Sequence, residues 1–235
     1  MTGPTARDRL FVALDVPDAD KARVLVDRIG DSVTCYKLGL ELIAASGFNL
    51  AREMKASGQT VFLDMKFLDI PNTVESATAS VARLGVDYLT IHGHDRKTLD
   101  AAVQGRGTSG LKLLAVTVLT SLDADDLAQQ GIATMSPRDL VLRRAVMAQA
   151  AGFDGVVASG QEAAAIRNEI GPQFLIVTPG VRLAGGASDD QARVVTPAAA
   201  IQSGATHLVV GRPITAAADP AAAAQAFLAQ IGSAA

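Results

Sequence analysis

The sequence predicts an α/β fold, a single (β/α)8 barrel of the TIM type spanning residues 1–235. Three observations predict it. Short, almost continuously apolar runs alternate with longer helical patterns about eight times, and strands buried on both faces read as such runs. No change of composition and no linker divides the chain, whose 235 residues suit one barrel. Polar and charged residues recur just past the ends of the apolar runs, the face on which such barrels carry their active sites. A doubly wound open sheet would need a phosphate-binding glycine fingerprint after its first strand, and Asp15-Val-Pro-Asp18 is no such fingerprint.

The elements follow in order. The first strand is 10–14, with Asp15 directly after it. Asp18 is placed to cap a helix that runs to Ile29 and stops at Gly30. The second strand, 33–38, carries Lys37 near its tip and ends at Gly39, and a helix over 41–56 ends at Ser57-Gly58. The third begins at Val61, and its helix, 72–84, is closed by Gly85. The fourth, 88–91, ends in His92-Gly93 and precedes a helix near 96–103. The fifth, 111–118, runs into Leu119-Thr120-Ser121. A helical region over 123–151 has a polar middle at 129–134, expected to be irregular, and a Ser136-Pro137 start signal. The sixth strand is 155–158, followed by a helix over 161–170. The seventh, 174–177, leads into Thr178-Pro-Gly-Val-Arg182, and the eighth, 206–210, into Gly211-Arg-Pro-Ile214. A helix over 219–231 closes the chain.

Composition excludes several classes of function. Net charge is −3, with no dense Lys/Arg run, so neither a nucleic-acid surface nor a polybasic membrane patch is expected. No apolar run approaches the roughly 20 residues that span a bilayer, and the first residues lack the apolar core of a signal peptide. Cys35 is the only cysteine, which rules out an intramolecular disulfide and favours a reducing, cytoplasmic compartment.

The chemistry concentrates in Val61-Phe-Leu-Asp-Met-Lys-Phe-Leu-Asp-Ile-Pro-Asn-Thr73. Positions two apart on a strand share a face, so Asp64 and Lys66 project together. Asp69 follows just before Ile70-Pro71, where proline bars further pairing. Three ionisable groups at the end of an apolar run are costly unless they neutralise one another. Lys66, flanked by carboxylates and with Lys37 and Asp15 nearby, is expected to stay protonated. That argues against a Schiff-base lysine and for a general acid. A carboxylate at Asp64 would repel a substrate carboxylate, and an ammonium at Lys66 would stabilise a carbanion left by departing carbon dioxide.

The loops after the seventh and eighth strands are the usual phosphate site of this fold. Here they supply Pro179-Gly180, Arg182 and Gly211-Arg212, and backbone N–H groups with a guanidinium fork suit a phosphate. The polar, glycine-rich segment 183–191 is expected to close over that phosphate, with Gln191 donating from its amide. No metal is expected. His92 and His94 have ligand-like spacing, but no third and fourth ligand accompany them, and Cys35 reads as packing.

Asp64-x-Lys66-x-x-Asp69-Ile70-Pro71-Asn72-Thr73 resembles the signature of the orotidine 5′-phosphate decarboxylase family. Leu14-Asp15, Tyr36-Lys37-Leu38-Gly39, Leu119-Thr120-Ser121, Thr178-Pro179-Gly180-Val181-Arg182 and Val210-Gly211-Arg212-Pro213-Ile214 extend the match over nearly the whole chain. The shorter D-x-K-x-x-D pattern also occurs in 3-keto-L-gulonate 6-phosphate decarboxylases and hexulose 6-phosphate synthases. Those relatives are expected to use Mg²⁺ and to have an acidic residue in place of Lys37. A non-catalytic UMP-binding protein is a further alternative, disfavoured by the intact charge network.

The resemblance implies a decarboxylase of orotidine 5′-phosphate that forms UMP without metal or cofactor. Lys66 would protonate C6, and Asp64 would lie against the substrate carboxylate in an alternating network of Lys37, Asp64, Lys66 and Asp69. Asp15 and Lys37 would bind the ribose hydroxyls and Thr120-Ser121 the pyrimidine. Arg182, Gln191, Gly211 and Arg212, with Pro179 and Gly180 beside them, would hold the phosphate. Asp69 and Thr73, with Ile70 and Pro71 between them, would line the neighbouring subunit's site in a homodimer.

Overall fold

The computed structural model describes residues 4–45, 47–184 and 195–234. Eight strands close into a barrel in sequence order: β1 (Leu10–Ala13), β2 (Cys35–Leu38), β3 (Thr60–Phe67), β4 (Tyr88–His92), β5 (Lys112–Val116), β6 (Gly155–Val157), β7 (Leu175–Thr178) and β8 (His207–Val210). Every pairing is parallel, and β8 returns to β1. Among the described residues the outer layer comprises α1 (Ala19–Ile29), α2 (Leu40–Ala45), α3 (Gly47–Ala56), α4 (Pro71–Ala82), α5 (Arg96–Arg106), α6 (Ala124–Gln129), α7 (Pro137–Ala151), α8 (Ala163–Ile170), α9 (Pro197–Gln202), α10 (Arg212–Thr215) and α11 (Pro220–Gly232).

Alternation along each strand creates two cores. Leu10, Val12, Leu63, Leu89 and Ile91 face outward and pack under the helices in one large cluster. Phe11, Cys35, Phe62, Tyr88, Leu114, Val177 and Val209 face inward and stop the barrel's interior. The rings of Phe11, Phe62 and Tyr88 meet edge-on or tilted, with centroids 5.2–6.1 Å apart. Each fully buried Leu or Phe contributes about 1.5–3 kcal/mol, so the strands are bound on both faces. The same inward parity carries Lys37 and Asp64 to the mouth, two residues beyond Cys35 and Phe62.

Local chemistry sets most helix boundaries. Asp18 caps α1 by accepting from the Lys21 amide, Asp123 and Asp126 form a capping box on α6, and Ser136 caps α7 with Pro137 in its first turn. Residues 130–136 are non-helical, as their polar composition predicts, and Gly131 there has φ +81°. The helix expected over 41–56 differs from the structure, which has α2 and α3 on either side of position 46. Glycine is a weak helix former, and a Cβ on Gly47 would lie 2.7 Å from Ile43 Cδ1, so α3 starts pressed against α2. Helix α9 was not anticipated, although Thr196 caps it and Pro197 opens it. Its six residues are too few and too Ala-rich to show an amphipathic stripe.

Candidate active site

The mouth of the barrel at the strands' C-terminal ends holds a chain of opposite charges. Lys37 Nζ lies 3.1 Å from Asp15 Oδ1 and 3.4 Å from Asp64 Oδ2, while Lys66 Nζ lies 2.8 Å from Asp64 Oδ1. Asp64 is thus held between two ammonium groups. The side chains of Lys37, Asp64 and Lys66 are 9%, 14% and 28% exposed, whereas Asp15 at the rim is 55% exposed. Burial works against the charge of Lys37, but Asp64 and then Asp15 outweigh it and raise its pKa. Burial likewise opposes ionisation of Asp64, yet Lys37 and Lys66 hold its carboxyl below the usual range. Both groups are therefore charged at neutral pH.

The strand that carries this pair is irregular. Leu63 pairs with Leu89 and Phe67 with Ile91, so residues 64–66 stand opposite Thr90 alone. Such a bulge re-aims side chains at a barrel rim. Lys66 sits in it with φ +51°, among the described residues the one non-glycine with positive φ. That left-handed conformation is costly for a residue with a side chain. Thr90, fully buried, faces the bulge: its hydroxyl accepts from the Lys66 amide and donates to Asp64 Oδ1, both at 2.9 Å. Sequence reasoning missed this residue, because threonine inside a strand reads as a β-former. The signal was parity with inward-facing Tyr88.

A cavity of about 450 Å³ opens in front of the pair. Of the residues proposed from sequence, Asp15, Lys37, Asp64, Lys66, Thr120, Pro179, Gly180, Arg182, Gly211 and Arg212 line it. Phe62, Val157 and Val209 form its apolar floor. Gly180 follows β7 with φ +74°, and Gly211 precedes α10. Gly39 has no freedom to carry a side chain: a Cβ there would lie 2.6 Å from Asp15 Oδ1 and 3.1 Å from Lys37 Nζ. The cavity lining offers the buried Lys37 and half-buried Lys66 ammonium groups, the Asp64 carboxylate between them, and the guanidinium groups of Arg182 and Arg212. It suits an anionic substrate whose reacting group faces Asp64.

Other proposed residues are not brought into the cavity of the single chain. Asp69, Ile70, Pro71 and Thr73 are exposed beyond the end of β3, and Asp69 accepts from the Ile70 amide at 2.7 Å. Ser121 is exposed next to Thr120 but does not line the cavity. Gln191 lies outside the described residues.

The remaining titratable groups near the mouth fit packing. His92 and His94 stack edge to face at 4.8 Å. Burial, then His94, pushes the His92 pKa down to about 4. Among the described residues no group of three or more His, Cys, Asp or Glu side chains is placed to hold a metal ion. Cys35 is buried inside the barrel, and burial pushes its thiol up, as befits a packing cysteine.

Comparisons with known proteins agree with one another. The family model for the orotidine 5′-phosphate decarboxylase / HUMPS family matches residues 8–227. Orotidine 5′-phosphate decarboxylase of Methylobacterium sp. (strain 4-46) is 55% identical over 100% of both chains. That of Rhodopseudomonas palustris (strain HaA2) is 52% identical over 98% of this chain and 97% of its own. The crystal structure of orotidine 5′-phosphate decarboxylase from Lactobacillus acidophilus superposes with a TM-score of 0.85 at 36% identity, covering 95% of this chain and 99% of that one.

Proposed function

The chain belongs to the orotidine 5′-phosphate decarboxylase / HUMPS family and is a carboxy-lyase of pyrimidine biosynthesis that converts orotidine 5′-phosphate to UMP, and we propose that Asp64 and Lys66 carry the reaction. The observation that carries this reading is the Lys37–Asp64–Lys66 chain facing a cavity that Arg182 and Arg212 also line. The phosphate lies between these guanidinium groups and the backbone of Gly180 and Gly211, with Pro179 shaping the loop and Gln191 donating to it. Asp15 and Lys37 hold the ribose hydroxyls, and Thr120 with Ser121 meets the pyrimidine.

The substrate carboxylate then rests against Asp64, where like charges repel. The bond from C6 to the carboxylate breaks and its electron pair stays on C6. Carbon dioxide leaves as a neutral molecule, and Lys66 Nζ gives a proton to C6. Lys66 regains its proton from solvent, so the net reaction consumes one proton. Repulsion fades and attraction to the ammonium grows along this path, which is the differential stabilisation that accelerates a reaction. No metal or cofactor takes part.

The Mg²⁺-dependent sugar-phosphate enzymes and a non-catalytic UMP-binding protein are not favoured, since the relatives cited are named decarboxylases of orotidine 5′-phosphate and Lys37 is bound within the charge chain. The enzyme works in the cytoplasm as one domain and as a homodimer, with Asp69 and Thr73 completing the neighbouring site and Ile70 and Pro71 shaping the segment between them. Exposure of Leu68 at 51% and Ile70 at 67% supports a partner over this segment.

Absorbance of orotidine 5′-phosphate mixed with EDTA-treated protein tests the reading. Rapid conversion to UMP is expected. A silent protein that acts on a keto-sugar phosphate once Mg²⁺ is restored would overturn it.

A further inference from the structure

We propose that Thr90 is a positioning residue, whose one hydroxyl locks the left-handed backbone of Lys66 and the carboxylate of Asp64 into a fixed relation. The inference rests on the decarboxylase reading of the same site.

The bulge in β3 places three residues opposite one in β4, which takes the Lys66 amide out of the strand ladder. A buried N–H without a partner is costly. Thr90 Oγ1 accepts from that amide at 2.9 Å. A hydroxyl has one proton to give and two lone pairs, and the proton goes to Asp64 Oδ1, also at 2.9 Å. Asp64 Oδ1 in turn receives the Lys66 ammonium at 2.8 Å. The result is a closed ring: Lys66 amide, Thr90 hydroxyl, Asp64 carboxylate, Lys66 ammonium. Backbone and side chain of the same lysine are tied to one another through two neighbours.

No apolar residue of the same shape supplies this link. Valine in place of Thr90 keeps the volume and β-branching but has neither donor nor acceptor. The Lys66 amide then loses its partner, the positive φ loses its restraint, and Asp64 loses its hydrogen bond from β4. Thr90 faces the charged pair from behind and does not line the cavity, so the effect falls on turnover rather than on binding.

The test compares Thr90→Val with Thr90→Ser. Hydrogen bonds to charged groups are worth about 1.5–3 kcal/mol, and each 1.36 kcal/mol is tenfold in rate. Thr90→Val is therefore expected to lower kcat roughly ten- to a hundredfold with KM within a few-fold of wild type. Thr90→Ser, which restores the hydroxyl, is expected to recover most of it. Near-wild-type kcat in Thr90→Val overturns the proposal, as does a Thr90→Ser variant no better than Thr90→Val. If Thr90→Val does not fold, Thr90→Ala, which leaves space instead of a mismatched methyl, takes its place. A crystal structure of the variant supplies a readout independent of substrate. Lys66 leaving the left-handed region supports the role, and an unchanged φ with the Asp64 contact intact overturns it. Wild-type protein inert toward orotidine 5′-phosphate would sink the decarboxylase reading, and the crystal structure would still decide Thr90.

Discussion

Lys66 combines an ammonium 2.8 Å from Asp64 with a backbone held at φ +51°. In the proposed reaction it is the only proton source for C6. Lys66→Ala should lose several orders of magnitude in kcat while still binding UMP, measured by steady-state kinetics and titration calorimetry. Near-normal turnover in that variant would remove the lysine from its role as acid. A second residue contributes to acid sensitivity. His207, at the start of β8, packs on Phe11 and Tyr88 with centroids 5.6 and 5.9 Å away. Burial, then Lys112 and Arg9, pushes its pKa down to about 4. The unfolded chain binds a proton near pH 6.5 that the folded chain refuses until about pH 4. The contribution of His207 is therefore complete above pH 6.5 and is lost through that window, by about 3 kcal/mol at 1.36 kcal/mol per unit. Denaturant melts of His207→Phe should show a flatter loss between pH 6.5 and 4; an unchanged slope would assign the loss to other groups.

At the scale of elements, α4 and α5 cross at closest approach over Gly105. A Cβ there would lie 2.2 Å from the Glu75 carbonyl oxygen and 2.9 Å from Thr78 Cβ. Alanine favours helix over glycine by about 1 kcal/mol, yet overpacking costs about 1–3 kcal/mol. Gly105→Ala should therefore melt several degrees lower, and a rise in Tm would show that the helices part without strain. The elements were also what the sequence made most legible. Two-sided burial writes β1 to β8 as apolar runs, and caps such as Asp18 and Ser136 mark the starts of α1 and α7. What escaped was either short or dependent on a neighbour. Helix α9 has no stripe to read, and the bulge in β3 leaves no trace in Asp64-Met-Lys66, because it arises only against β4. Thr90 was hidden for the same reason. Charge was easier: Asp15, Lys37, Asp64 and Lys66 fall at strand ends and are drawn together by geometry that any barrel of this kind imposes.

For the whole molecule, the proposed homodimer makes each site a joint product of two chains. Asp69, Ile70, Pro71 and Thr73 stand outside the single chain's cavity, and no reading of one chain's parity would have assigned them a place in it. Mixing Lys66→Ala with Asp69→Ala chains tests the arrangement. Each mixed dimer would have one site with both residues intact, so random exchange should restore about a quarter of the wild-type sites from two poorly active parents. Absence of any recovery, with exchange verified by mass, would confine Asp69 to its own chain.

Among the described residues, the aromatic stopper of Phe11, Phe62 and Tyr88 closes the floor of the candidate site's cavity and makes it a cup that opens at the mouth of the barrel. In the proposed reaction, substrate, carbon dioxide, UMP and the replacement proton for Lys66 would all cross that one threshold, inward and outward, rather than travel along the barrel's axis.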